Sequence, residues 1–76
     1  MQVTVEEIRN VIEESGAMVD MDTLQNDTTL TEQDVDSLDT ANIYLSFEET
    51  FKIKIPDGDL DQLKSIDEIV TYLNNK

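Results

Sequence analysis

Ser37 stands in the tetrapeptide Asp36-Ser37-Leu38-Asp39, immediately ahead of apolar residues that recur at helical spacing. On residue type alone, a serine in such a place is a good helix-start residue. No histidine or lysine lies near it in sequence to activate it as a nucleophile. The whole chain contains no histidine and no cysteine. The usual neutral-pH proton shuttle, the commonest metal ligand and any disulfide framework are thereby removed, and with them most routes to hydrolytic or redox catalysis. No catalytic residue is assigned, and the chain is expected not to be an enzyme. A second constellation, Asp57, Asp59, Asp61 and Glu68, falls at positions 1, 3, 5 and 12 of a calcium loop. Position 6, where such a loop needs glycine for its sharp turn, is Gln62, and position 8 is Lys64. A dedicated metal site is not expected; loose divalent binding to an acidic surface accounts for the same residues.

Eighteen acidic residues against five basic ones give a formal net charge of −13. That charge repels nucleic acid phosphates and anionic lipid surfaces and favours basic proteins as partners. The longest apolar runs are a few residues, too short for a membrane span, and nothing from Met1 to Val5 resembles a signal peptide. A cytoplasmic monomer is the expectation. Residues 1–76 suffice for one compact domain with a modest core and not for two. So acidic a composition also suits a disordered tail, but the apolar residues are periodic, which argues for a folded core.

The elements that must position Ser37 follow from local signals. Thr4-Val5-Glu6-Glu7 has the form of a capping box, and Val5, Ile8, Val11 and Ile12 follow at helical spacing, with Gly16 placed to end the run. A first helix is expected over residues 4–15. From Ala17 to Asp36 no period holds, so this reads as one long loop, pinned by Met18, Val19, Met21, Leu24 and Leu30. Ser37 to Phe51 forms the second helix. Ile43, Phe47 and Phe51 make its core stripe, while Leu38, Ala41 and Leu45 make a second stripe turned away from the first. Lys52 to Ile55 reads as a connector, because Pro56 follows at once and no partner strand is evident. Asp59 to Leu63 forms one helical turn. A second capping box, Ser65-Ile66-Asp67-Glu68, then opens a last helix running to Leu73. Tyr44 and Tyr72 are expected at the edge of the bundle with their hydroxyls towards water.

Taken together, Asp27-Thr28-Thr29-Leu30, Asp36-Ser37-Leu38-Asp39, Phe47-Glu48-Glu49-Thr50-Phe51, Ile53-Lys54-Ile55-Pro56-Asp57 and the helix from Ser65 to Leu73 resemble, in order and over nearly the whole chain, the acyl carrier protein family. The resemblance implies an all-α fold, a small bundle of three main helices plus one short helix with a long first loop. It implies that Ser37 is esterified by the 4′-phosphopantetheine group of coenzyme A, through a phosphopantetheinyl transferase. The arm would supply the thiol that this cysteine-free chain lacks and would hold acyl, aminoacyl or polyketide intermediates as thioesters. It also implies that helix two is the surface gripped by acyl-transferring, condensing or ligating enzymes with basic patches. Its apolar centre is Leu38, Ala41 and Leu45, and its acidic rim is Asp36, Asp39, Glu48 and Glu49. Ile43, Phe47 and Phe51 form a core that, in this family, opens to shelter an acyl chain.

The chain departs from the family pattern at several positions. Gln33-Asp34, followed by Val35, stands where the family commonly has Leu-Gly; Asn42 stands where an acid is common; Lys52 and Lys54 bring positive charge near the helix exit. These changes point to a carrier dedicated to one pathway, polyketide, aminoacyl or specialised lipid synthesis, with housekeeping fatty acid synthesis left open as well. They also keep open an alternative, a binding or regulatory module that retains the carrier fold without the arm. The rival to docking is that Leu45 merely packs on the long loop while the acids solvate the surface.

Overall fold

The computed structural model describes residues 2–75; Met1 and Lys76 lie outside them. Three α-helices, α1 (Val5–Glu14), α2 (Ser37–Phe51) and α3 (Ile66–Asn74), are joined through two short 3-10 helices, Leu30–Gln33 and Asp57–Gln62. No described residue is in a strand. Each α-helix starts where a side-chain oxygen is available to cap it. The Thr4 hydroxyl accepts from the Glu7 amide at 3.2 Å, the Asp36 carboxylate from the Leu38 amide at 3.4 Å, and the Ser65 hydroxyl from the Glu68 amide at 3.2 Å. The Glu7 carboxylate meets the Thr4 hydroxyl, so at Thr4 the box closes side chain to side chain.

Helix ends are equally local in origin. After α1, Gly16 takes φ +84°, which costs glycine nothing. At the end of α2, Lys52 takes φ 55°, and the amides of Lys52 and Ile53 both close onto the Glu48 carbonyl. A lysine there bears the left-handed strain that glycine would avoid.

α1 packs against both α2 and α3, the first 3-10 helix against α2 and the second against α3. Ile8 and Ile12 of α1, Ile43 and Phe47 of α2, and Ile66, Ile69 and Leu73 of α3 are fully buried in one continuous cluster, with Leu63 among them. Phe51 is only half-buried at its margin, its ring stacked on Phe47 at a centroid distance of 6.3 Å. The chain ends are tied by the Val3 amide, which donates to Asn74 Oδ1 at 2.7 Å, and by Asn74 Nδ2, which returns a bond to the Val3 carbonyl.

The loop before α2 is pinned by four of the five apolar residues expected to do so. Leu24 and Leu30 are buried and Val19 and Met21 half-buried, but Met18 is 87% exposed and pins nothing. Polar bonds add to the apolar restraint. Arg9 of α1 reaches out and donates to the Met21 carbonyl, to the Leu24 carbonyl at 2.9 Å and to Asn26 Oδ1 at 2.8 Å. Two backbone bonds then fasten the loop to the start of α3, Leu30 N–H to the Lys64 carbonyl at 2.8 Å and Asp67 N–H to the Asn26 carbonyl at 3.0 Å. The stretch is also not one unbroken loop, since Leu30–Gln33 closes a 3-10 turn.

Candidate functional site

The chain enters α2 through Asp34, Val35 and Asp36, and each has a distinct job. Asp34 ends the first 3-10 helix at φ 65°, the left-handed conformation that short polar side chains tolerate better than most. Val35 is buried and its amide donates to the Leu30 carbonyl, which anchors the backbone just ahead of the helix. Asp36 caps α2. Gln33, the other departure from the family pattern, is a clamp: it accepts from the Gln25 amide at 2.6 Å and donates to the Gln25 and Thr28 carbonyls at 3.0 and 2.9 Å. The altered approach loop is therefore closed by its own side chains.

Ser37 is the first residue of α2 and is exposed, between the buried Val35 and Leu38, which is 74% exposed. Its hydroxyl makes one long bond, donating to Asp36 Oδ1 at 3.4 Å. The first-turn amides of a helix have no partner one turn back, and they point, with the positive end of the helix dipole, towards this corner. Ser37 thus presents an exposed hydroxyl at the start of a capped helix.

Along α2 the two stripes separate cleanly. Ile43 and Phe47 face the core, whereas Leu38, Ala41 and Leu45 are exposed, Leu45 by 55%. Leu45 thus does not bury itself against the long loop. Of the four rim acids, Asp36 and Glu49 are exposed and Asp39 and Glu48 half-buried. Glu48 is partly committed, because its Oε2 accepts from the Ile55 amide at 2.7 Å and so fixes the connector.

Both tyrosines depart from the expectation of water-facing hydroxyls. Tyr44 donates to the Leu63 carbonyl at 2.7 Å, and burial, followed by the nearby Glu68 carboxylate, pushes its phenol above the ordinary value. Tyr72 donates to the Asp59 carboxylate. In each case the half-buried ring brings its oxygen within reach of an acceptor, Leu63 just after the second 3-10 helix for Tyr44 and Asp59 within that helix for Tyr72. Asp59 is thereby engaged, and among the described residues no group of three or more carboxylates is gathered so as to hold a metal ion. No helix of the described residues is long and apolar enough to cross a membrane.

Residues 6–73 match the family model described as "Phosphopantetheine attachment site". The chain belongs to that family. It is 38% identical over 71 residues to an acyl carrier protein of Campylobacter hominis, covering 92% of this chain and 89% of that protein. It is 30% identical over 73 residues to an acyl carrier protein of Campylobacter jejuni subsp. doylei, covering 95% and 94%. Among solved structures, the fold matches with a TM-score of 0.77 a chain in the crystal structure of an engineered Bradyrhizobium japonicum glycine:[carrier protein] ligase complexed with a carrier protein from Agrobacterium tumefaciens and AMP. That match is 23% identical and covers 93% of this chain and 99% of the other. The family's cofactor is a covalently attached 4′-phosphopantetheine, and the all-helical architecture is that of a carrier protein.

Of the residues that hold the approach loop, Arg9 drew no reading from the sequence, and Gln33 stood out only as a departure from the family pattern. Their acceptors are mostly backbone carbonyls, which every residue possesses, so no pattern of side chains marks them.

Proposed function

We propose that this protein is a carrier, not a catalyst, in which residues 1–76 form one domain and Ser37 bears the phosphopantetheine arm. The exposed hydroxyl at the head of α2, in a chain matched to this family from residue 6 to 73, carries the reading. When bound, the arm supplies a thiol on which an acyl group is held as an activated thioester. Ser37 Oγ provides the ester oxygen. The first-turn amides of α2 offset part of the phosphodiester charge, as helix N-termini do for phosphate generally. Asp36 opposes that benefit, so its contribution is assigned to recognition by basic partners.

The exposed Leu38, Ala41 and Leu45, rimmed by Asp36, Asp39, Glu48 and Glu49, form the docking face for a phosphopantetheinyl transferase and for acyl-transferring, condensing or ligating enzymes. Acidic rims accelerate encounter more than they tighten binding, so these complexes form quickly, are sensitive to salt and release readily. Such behaviour suits a monomer of the cytoplasm that visits several enzymes in turn.

The test is direct. The apo protein, incubated with coenzyme A and a broad-specificity transferase, should gain the mass of one arm, and Ser37→Ala should gain none. Absence of the gain, or a gain that survives Ser37→Ala, overturns the reading and leaves a binding module with the carrier fold.

A further inference from the structure

Tyr44 shares a face of α2 with Ser37 and Thr40, seven and four residues before it. Its hydroxyl bond to the Leu63 carbonyl, 2.7 Å, carries the ring across the gap between α2 and the segment leading into α3. Two grooves open on this gap. The first, about 300 Å³, is lined by Thr29, Thr40, Tyr44, Leu60 and Lys64 and begins one helical turn from Ser37. The second, about 260 Å³, is mostly apolar and is lined by Ala41, Tyr44, Leu45, Ile55 and Leu60. Tyr44 and Leu60 line both, so they form the partition between them.

The first groove mixes polar side chains, among them Thr31, Glu32, Thr40 and Lys64, with the apolar Leu30 and Leu60. Thr29 Oγ1 is buried without a hydrogen-bond partner among the described residues. Below the partition the core is filled: Ile43, Phe47, Ile66 and Ile69 are all 0% exposed. An alkyl chain tethered near Ser37 would meet this shallow mixed groove, then the Tyr44 ring. Going further requires swinging the ring aside and leaving the Leu63 carbonyl without its donor, which is unfavourable for a buried group.

We propose that Tyr44 is a specificity-determining residue that closes the route from the first groove to the second and to the core, so that the cargo is a short or polar acyl group held outside the bundle. The proposal rests on the assignment of the arm to Ser37. The experiment loads the apo protein from acetyl- and octanoyl-coenzyme A with a broad-specificity transferase and follows intact mass. It then measures thioester cleavage by hydroxylamine, each rate normalised to the same acyl group on free pantetheine. For the wild type, the normalised octanoyl and acetyl rates should agree. For Tyr44→Val, the octanoyl thioester should be cleaved about ten-fold more slowly than the acetyl one, the protection that burial of roughly two methylenes supplies.

A failure of loading defeats the attachment reading. Successful loading with a protected octanoyl group in the wild type, or without protection in Tyr44→Val, overturns the role of Tyr44 alone. Should Tyr44→Val not fold, as judged by circular dichroism, Tyr44→Leu replaces it, and the wild-type comparison stands without either.

Discussion

Replacing Arg9 by methionine keeps an unbranched apolar stem of similar reach and deletes the guanidinium. The loss comprises three charge-assisted hydrogen bonds, to the Met21 and Leu24 carbonyls and to Asn26 Oδ1, and these are the polar ties between α1 and the loop that leads to Ser37. Taken singly, each would contribute about 1.5 kcal/mol. Arg9 is only half-buried, so water replaces part of what is removed, and the expected destabilisation is about 3 kcal/mol. For a domain of this size that corresponds to a fall of about 15 °C in melting temperature. The measurement is thermal unfolding by circular dichroism in about 0.5 M salt, where the Debye length is a few ångströms and the change in net charge is screened. Arg9→Lys should recover less than half of the loss, because an ammonium has no planar fork with which to reach three acceptors at once. A fall of less than about 4 °C for Arg9→Met would refute the reasoning, since the loop would then be held by Leu24 and Leu30 and not by the guanidinium.

Three further outcomes are expected. Tyr44→Phe should destabilise the fold by about 1–3 kcal/mol, because the Leu63 carbonyl loses its donor. The Tyr44 phenol is raised in the folded state, so the folded protein keeps a proton that the unfolded chain releases; this contribution is complete below the ordinary tyrosine value near 10, falls as pH rises past it, and is missing from the variant in alkaline melts. Lys52→Gly should raise stability by about 0.5–1 kcal/mol, read as a shift of the urea midpoint without a change in slope, because it relieves the left-handed strain at φ 55°. Finally, added sodium chloride should raise the melting temperature, as it screens a net charge of −13; a flat or falling response would show that the acids are internally paired.

The limits of the three α-helices were legible because the groups that set them are neighbours in the chain. Thr4 and Ser65 cap amides three residues on, Gly16 supplies a left-handed turn where α1 ends, and the spacing of Ile43 and Phe47 marks the buried side of α2. The exposed stripe of Leu38 and Leu45 was legible for a related reason. A helix that is apolar on two sides must show one of them to something other than its own core.

The first 3-10 turn was less legible. Leu30-Thr31-Glu32-Gln33 has no period, and its closure depends on Asp34 accepting a left-handed conformation and on Gln33 finding backbone partners five and eight residues away. The tyrosines were misjudged because amphipathic rings at the edge of a bundle orient their oxygens by what lies across from them. What lies across from Tyr44 is a carbonyl nineteen residues further along the chain.

From its residues alone, this protein's helices, its acidic surface, its missing thiol and its candidate attachment serine could be read, because periodicity, charge and capping are properties of short stretches of chain. Tertiary structure alone decided that Arg9 binds the approach loop, that Met18 stays in water and that Tyr44 divides the grooves beside α2. These outcomes depend on which backbone acceptors and apolar surfaces distant segments bring within a few ångströms of one another, and no local pattern records that distance.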